Sequence, residues 1–380
     1  GRKMTEKDVV TLCAVGDVVA FHENPESAFE YVGPILRGAD ITFAQNERHY
    51  SDRRDINPLG GFTEITSPKH AEALKLGGFD VMSFASNHSV DMGPEVMMET
   101  VNLLKKLGFA VVGAGNNIEE ARKPAIIKHK GTKVAFLAYT SLLRGGYPAG
   151  PERGGPAPMR AWCHYNPVDT DTGSPPQILT FPYRDDLDAL IEDVKKAKAQ
   201  ADLVALSLHW GVHFWHGVIA MYQKEVAHAA IDAGADIILG HHPHQLKGIE
   251  VYKGKPIFYS MGNFVLDLPY DELIEWKKKS PPFNVMLEHY RWEIDPEWRV
   301  YPYPQESRKS MIVRCNIVNK NIQRACFLPV MINQRAQPRV VSREDKDFDE
   351  IFDYMQEITE SQGLKTKYSI DGNEIVVSLE

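Results

Sequence analysis

The sequence predicts an α/β protein, and three observations predict it. Apolar runs of strand length alternate with segments of helical length over most of the chain, the pattern of a layered α/β domain. Those apolar runs end in polar, chemically capable residues, as they do where an α/β sheet gathers a site at the carboxyl ends of its strands. The 380 residues, 43% hydrophobic and 25% charged, can also bury a full core, which excludes a disordered or fibrous chain. Length alone would allow two or three domains, yet one large domain with insertions fits equally well.

The first apolar run, "VVTLCAVGDVV", reads as a buried strand closing on Gly16-Asp17, and "ADITFAQNE" as a second closing on Asn46-Glu47. A helix from about Pro68 to Leu76 leads to the strand "FDVMSFASNH". A helix from about Pro94 to Leu107 precedes the strands "FAVVGAG" and "KVAFLAYTS". Residues 144 to 177 are dense in Gly and Pro and lack either period, so they read as a loop; Arg160, Trp162, His164 and Tyr165 in its middle suggest a substrate lid rather than a linker. Helices from about Asp185 to Gln200 and Ala220 to Ala233 then alternate with the strands "DLVALSLHWG" and "ADIILGHHPH". A hairpin around Lys253-Gly254 follows, then a second irregular stretch over 269–307 that is aromatic and charged at once. A hairpin turning at Asn319-Lys320 and a final helix from about Glu344 to Ser361 close the chain. The expected organisation is one domain over 1–335, with insertions at about 144–177 and 269–307, and a helical extension over 336–380 packed on it.

Composition narrows the function. A formal charge of -8 weighs against nucleic acid and against a polyanionic polymer as partner. The four cysteines are widely spaced and contain no CxxC, so a metal would need histidine and carboxylate ligands. No window reaches the roughly 18 apolar residues needed to cross a bilayer. The first residues show no signal-peptide pattern, and Gly1 to Lys3 read as an expression remnant. The expectation is a cytoplasmic protein with a small-molecule substrate and no membrane partner, with a homo-oligomer left open.

"GHHPHQ" puts three imidazoles into four positions between apolar runs. A surface cluster or a buried hydrogen-bonded pair would be the plain readings. A metal site accounts better for three rings, since neutral imidazole is the commonest metal ligand. The strand ends together offer Asp17, Asn46-Glu47, Asn87-His88, His209 and His241, His242 and His244. Two divalent ions about 3.5–4 Å apart need such a set: a bridging carboxylate, imidazoles and a neutral oxygen donor.

These blocks carry a resemblance. "AVGDVV", "NERHY", "SNHSVDMG", "SLHWGVHF" and "GADIILGHHPHQLKGIEVYKGKPIFYSMGNFVLD" occur in order, and over roughly residues 9 to 335 the chain resembles the CapA (PgsA-like, poly-gamma-glutamate synthesis) family, a branch of the calcineurin-like metallophosphatase superfamily. The resemblance implies a sandwich of two mixed β-sheets flanked by helices, with one or two divalent ions (Zn, Mn or Fe) at one end. It implies Asp17, Glu47, Asn87, His209, His242 and His244 as metal ligands, with His241 the adjacent ring. His88 with Asp91 matches the superfamily's histidine-carboxylate pair, whose role is general acid or base poised near neutral pH.

Departures from the pattern matter too. The D-x-H of superfamily phosphatases is missing from "GDVVAF", and His22 is a conceivable replacement. His213 and Phe214 replace the more acidic wall of many relatives, and Trp215 follows. Arg48, His49 and Tyr50, directly after Glu47, could bind an oxyanion or phenol or move a proton. An aromatic lid beside metal ligands suits a small hydroxylated aromatic substrate. The expected activity is therefore a metal-dependent lyase, acting by metal-assisted deprotonation and releasing an aldehyde such as formaldehyde from a lignin-type aromatic dimer. The alternatives are a binuclear phosphoesterase or amidase, an accessory protein of polyglutamate or capsule synthesis, and a non-enzymatic binding module.

Overall fold

Alternation within single strands builds the architecture. In Thr132–Thr140, Val134, Phe136 and Ala138 enter one apolar cluster while Ala135, Leu137 and Tyr139 enter another. In Val10–Val18, Leu12 and Ala14 face inward while Cys13 and Val15 face outward. Strands apolar on both faces must be covered on both. A computed structural model, which describes residues 9–53 and 65–380, shows how this is met; Gly1 to Lys3 lie outside the described residues.

Two mixed sheets pack face to face, as the resemblance implied. The larger runs Tyr368–Asp371, Glu374–Val377, Asn321–Ile332, Lys309–Val318, Val10–Val18, Ile41–Asn46, Val81–Ser83, Ala110–Val112; Asn263–Val265 also pairs with Val10–Val18 and Pro338–Val340 with Asn321–Ile332. The smaller runs Ile249–Tyr252, Lys255–Phe258, Ile237–His241, Leu203–His209, Thr132–Thr140, Ala125–His129. Between them lies the main core, where Phe43 of one sheet stacks on Phe136 of the other at 5.9 Å between centroids. Helices Arg184–Gln200 and Met221–Ala233 cover the outer face of the smaller sheet. Short helices, Gly33–Arg37 and Glu72–Gly77 among them, cover that of the larger.

Two insertions are more regular than expected. Residues 161–182 contain an antiparallel hairpin, Ala161–Pro167 with Pro176–Pro182. The stretch 269–307 contains helices Tyr270–Lys279 and Pro281–His289. The second helix starts where the Ser280 hydroxyl accepts from Phe283 N–H and Pro281 stands at the first turn, a start signal the surrounding charges obscure. The aromatic residues there have a structural use, since Leu273, Phe283, Leu287, Trp292, Tyr301 and Tyr303 form a satellite core. The last helix is Lys346–Glu360, whose Phe348, Ile351, Met355 and Ile358 repeat at helical spacing and join the main core. The chain then adds an unanticipated hairpin, Tyr368–Asp371 with Glu374–Val377, to the larger sheet. Among the described residues no helix is long and apolar enough to cross a membrane.

Candidate metal centre

The site forms where strands of both sheets end together. Asp17 lies on Val10–Val18 in register with Asn263, while His209 and His241 are register partners on parallel strands of the other sheet. Two glycines let the backbones approach there. A Cβ on Gly16 would sit 2.0 Å from the Gly262 carbonyl oxygen, and one on Gly240 would sit 2.2 Å from that of Tyr259.

Asp17, His209 and His241 each offer a ligand atom within 4.8 Å of the others, and all are buried. His241, which the sequence places only beside the ligands, belongs to this compact ligand set, because parallel pairing aligns it with His209. A chain of close contacts joins these rings. Asn87 Oδ1 lies 2.9 Å from His209 Nε2, His209 Nδ1 lies 2.7 Å from His241 Nδ1, and His241 Nε2 lies 2.6 Å from the Ser207 hydroxyl; the tautomers that leave a lone pair free are the ones a metal would select.

The other expected ligands surround this trio. Glu47 Oε2 is 3.7 Å from His209 Nε2, and its Oε1 is 3.9 Å from His88 Nε2. His244 Nδ1 is 4.0 Å from Asp17 Oδ2 and donates to Asn263 Oδ1 at 2.8 Å. The ring of His242 lies 4.9 Å from that of His209, between centroids. His242 and His244 both hold positive φ, 106° and 59°, so the chain turns sharply to bring them round. Among the described residues, neither Asp17 carboxylate oxygen nor His242 Nδ1 has a partner within hydrogen-bond geometry. Burial raises the Asp17 carboxyl to about 7, against the lowering influence of Glu47, Arg48 and the His242 backbone N–H. Burial and neighbouring rings hold His209 and His242 well below the ordinary imidazole range, and burial brings His241 and His244 to about 3. Neutral imidazoles around orphaned carboxylate oxygens are what a divalent ion requires, so the residues fit the expected metal.

His88 stands beside this set. Its Nδ1–H donates to Asp91 Oδ2 at 2.5 Å, and Asp91 Oδ1 accepts from the Tyr147 hydroxyl at 2.6 Å. The expectation of a ring poised near neutral pH needs correction: burial, reinforced by Arg48, lowers it to about 4 despite Asp91. The ring is thus neutral, with its Nε2 accepting from the Asn87 Nδ2 amide at 3.3 Å and 3.9 Å from Glu47 Oε1.

The triplet after Glu47 divides. His49 is buried, held at Nε2 by the Ser89 carbonyl (2.8 Å) and pushed down to about 4 by burial. The Tyr50 hydroxyl accepts from Ala20 N–H, and burial raises its pKa. Both are engaged by backbone, whereas the charge of buried Arg48 acts on Asp17, His88, Asp91 and His244. His22 does not replace the missing ligand: its Nε2 is on the Ala336 carbonyl and its Nδ1 faces Asp267.

The expected lid residues also divide. Arg160 is paired in bidentate fashion with Asp186 and lies over the Tyr183 ring, on which Trp162 stacks. His164 and Tyr165 are exposed on the hairpin. His213, whose pKa burial lowers to about 4, lies 5.4 Å from the His242 ring, and the Trp215 carbonyl accepts from the buried Lys247. The wall over the histidines comes from Phe214, which the sequence places there, and from Tyr303, each stacked on His244 at 5.4 Å, with Tyr290 beside His213. Tyr290 and Tyr303 lie in the second insertion, and only "HYRW" and "YPYP" hinted at them. Asn263 and Tyr147 were missed as well, because each acts through the orientation of a histidine or its carboxylate.

Comparison with known proteins gives these features a context. The model of the family described as bacterial capsule synthesis protein PGA_cap matches residues 8–268. The chain is 31% identical over 275 residues to the PGA biosynthesis protein CapA of Bacillus subtilis (strain 168), covering 70% of this chain and 65% of that protein. It is 29% identical over 280 residues to the capsule biosynthesis protein CapA of Bacillus anthracis, covering 70% and 62%. The chain thus spans somewhat under two thirds of the length of these relatives. Among solved structures it is similar in outline to the calcineurin-like phosphoesterase YfkN from Bacillus subtilis, with TM-score 0.40, 12% identity, and 93% and 98% of the two chains covered. The relatives, named for PGA and capsule biosynthesis, overturn the expectation of an aromatic-dimer lyase: pocket composition misled because Trp162 of the expected lid stacks on Tyr183 and because His49 and Tyr50 are engaged by backbone. From its match to the family model over residues 8–268 and its CapA relatives, this chain belongs to the bacterial capsule synthesis protein (PGA_cap, CapA) family.

Proposed function

We propose that this protein is a metal-dependent hydrolase of glutamyl amide bonds that trims or releases poly-γ-glutamate during capsule polymer synthesis. The observation that carries the proposal is the convergence of Asp17, His209 and His241, with both Asp17 oxygens unpartnered among the described residues, beside a neutral His88. The polymer class comes from the relatives' names. Asp17, Glu47, His209, His241, His242 and His244 would hold the metal, with Asn87 a neutral donor. A divalent ion there supplies Lewis-acid polarisation of a carbonyl oxygen and offsets the negative charge of glutamyl side chains.

The protein's own groups do the rest. His88, oriented by Asp91, takes a proton at Nε2 from the attacking water and delivers it to the leaving amine. Tyr147 fixes Asp91 and so the ring. Arg48 brings positive charge to a chain whose overall balance of -8 would repel a polyanion. Phe214 and Tyr303 shield His244 from water.

The test incubates poly-γ-glutamate with protein loaded with zinc or manganese and follows polymer size and new amine ends. Metal-dependent shortening that is lost in His209→Ala supports the proposal. Unchanged polymer with every metal overturns it, and turnover of bis-p-nitrophenyl phosphate instead would make the protein a phosphoesterase.

A further inference from the structure

Two buried side chains face each other just beyond the strands that carry Asp17 and Asn263. Asp17 pairs with Asn263 and Val18 with Val265 in parallel, and Val19 N–H continues to the Val265 carbonyl. The two segments leave the sheet side by side and carry His22 and Asp267 to one place. His22 Nδ1 lies 3.8 Å from Asp267 Oδ1, with side chains 6% and 8% exposed. Among the described residues neither facing atom has a hydrogen-bond partner, and 3.8 Å is too long for a bond between them.

The tautomer of His22 is decided by its other nitrogen. Nε2 lies 2.9 Å from the Ala336 carbonyl oxygen, which can only accept, so Nε2 carries the hydrogen and Nδ1 presents a lone pair. Two acceptors therefore face each other in a buried setting with no donor between them, an arrangement that costs free energy unless something positive joins them. A ring whose N–H is fixed by a backbone carbonyl while its other nitrogen is aimed at a carboxylate has the orientation of a metal-ligating histidine. Burial lowers the imidazole and raises the Asp267 carboxyl to about 7.

We propose that His22 Nδ1 and Asp267 Oδ1 form a second cation site, separate from the Asp17, His209 and His241 centre, that takes a zinc-class divalent ion. Their separation is within twice the usual zinc–ligand length of about 2 Å. One imidazole and one carboxylate favour zinc over magnesium or calcium, which prefer all-oxygen sets. His70 is near enough to act on both groups; its Nδ1 is on the Ala20 carbonyl at 3.1 Å, which leaves its Nε2 with a lone pair. Arg48 and Glu272 also act on Asp267, with opposite signs. Through Ala336, which holds φ 54°, the ion would clip the segment after the first strand to the turn at residues 333–337.

The experiment counts zinc retained by chelator-stripped, reloaded protein after gel filtration. The wild type should hold one equivalent more than His22→Asn or Asp267→Asn. His209→Ala should keep that equivalent, and adding His22→Asn to it should remove it. Equal zinc in the wild type and both single variants overturns the proposal. If either variant fails to fold, zinc-edge anomalous diffraction on the zinc-saturated wild type decides: a peak between His22 and Asp267 supports the site, and no peak there overturns it.

Discussion

Replacing Asp17 by Asn should stabilise the stripped protein while destroying its affinity for metal. The Asp17 carboxylate is fully buried and, among the described residues, neither oxygen has a donor within hydrogen-bond geometry. Its pKa rises from 3.8 to about 7. At roughly 1.36 kcal/mol per unit this corresponds to about 4 kcal/mol against the ionised form, an upper bound because Glu47 shares the same pocket. A net gain of about 2 kcal/mol is the working figure, and for a chain of this size it raises Tm by about 2–3 °C. The pH dependence has a definite sign. Between about pH 4 and 7 the folded chain keeps a proton on Asp17 that the unfolded chain has lost, so this group's contribution to stability falls as pH rises through that window. The assay is thermal melting of stripped wild type and Asp17→Asn at pH 5 and pH 7.5, with and without zinc. The variant should melt higher at pH 7.5, the gap should narrow to less than half at pH 5 and close only near pH 4, and zinc should raise the wild type alone. A stripped variant that melts below the wild type at pH 7.5 would refute the reasoning.

Other perturbations separate the roles of neighbouring residues. His88→Ala should retain metal, measured by elemental analysis, yet slow polymer cleavage by about 10²- to 10⁴-fold, as for loss of a general base. Tyr147→Phe should also keep the metal and cost less, about tenfold, because only the 2.6 Å hydroxyl contact to Asp91 is lost. Gly240→Ala forces a Cβ against the Phe258 and Tyr259 carbonyls, so retained zinc should drop below wild type even if the protein folds. Arg160→Ala strands the buried Asp186 carboxylate; a loss of about 1–2 kcal/mol, seen as a lower Tm with unchanged metal content, is expected.

Much of this protein follows from the order of its residues. The strands around "VTLCAVGDV", "TKVAFLAYT" and "LVALSLH" and the helices near 94, 184, 221 and 346 are legible because period-2 and period-3.6 apolar patterns report the faces each element must bury. Asp17, Glu47, Asn87 and His209 stand out for a related reason, as ligand-type residues ending apolar runs. What the sequence ordered differently was His241, placed behind His242 and His244. Its place depends on parallel pairing beside His209, a contact between residues 32 positions apart. Nor could the sequence show that aromatic residues in 269–307 mostly build a local core, or that Arg160 and Trp162 pack on Asp186 and Tyr183. The depression of His88 and the meeting of His22 with Asp267 belong to the same class, since burial and the direction of a ring nitrogen are set by what the fold brings alongside. Periodicity is a local property of the chain and determines which residues reach the strand ends, whereas protonation, ligand ranking and partner choice are properties of the space between elements, which only tertiary packing creates.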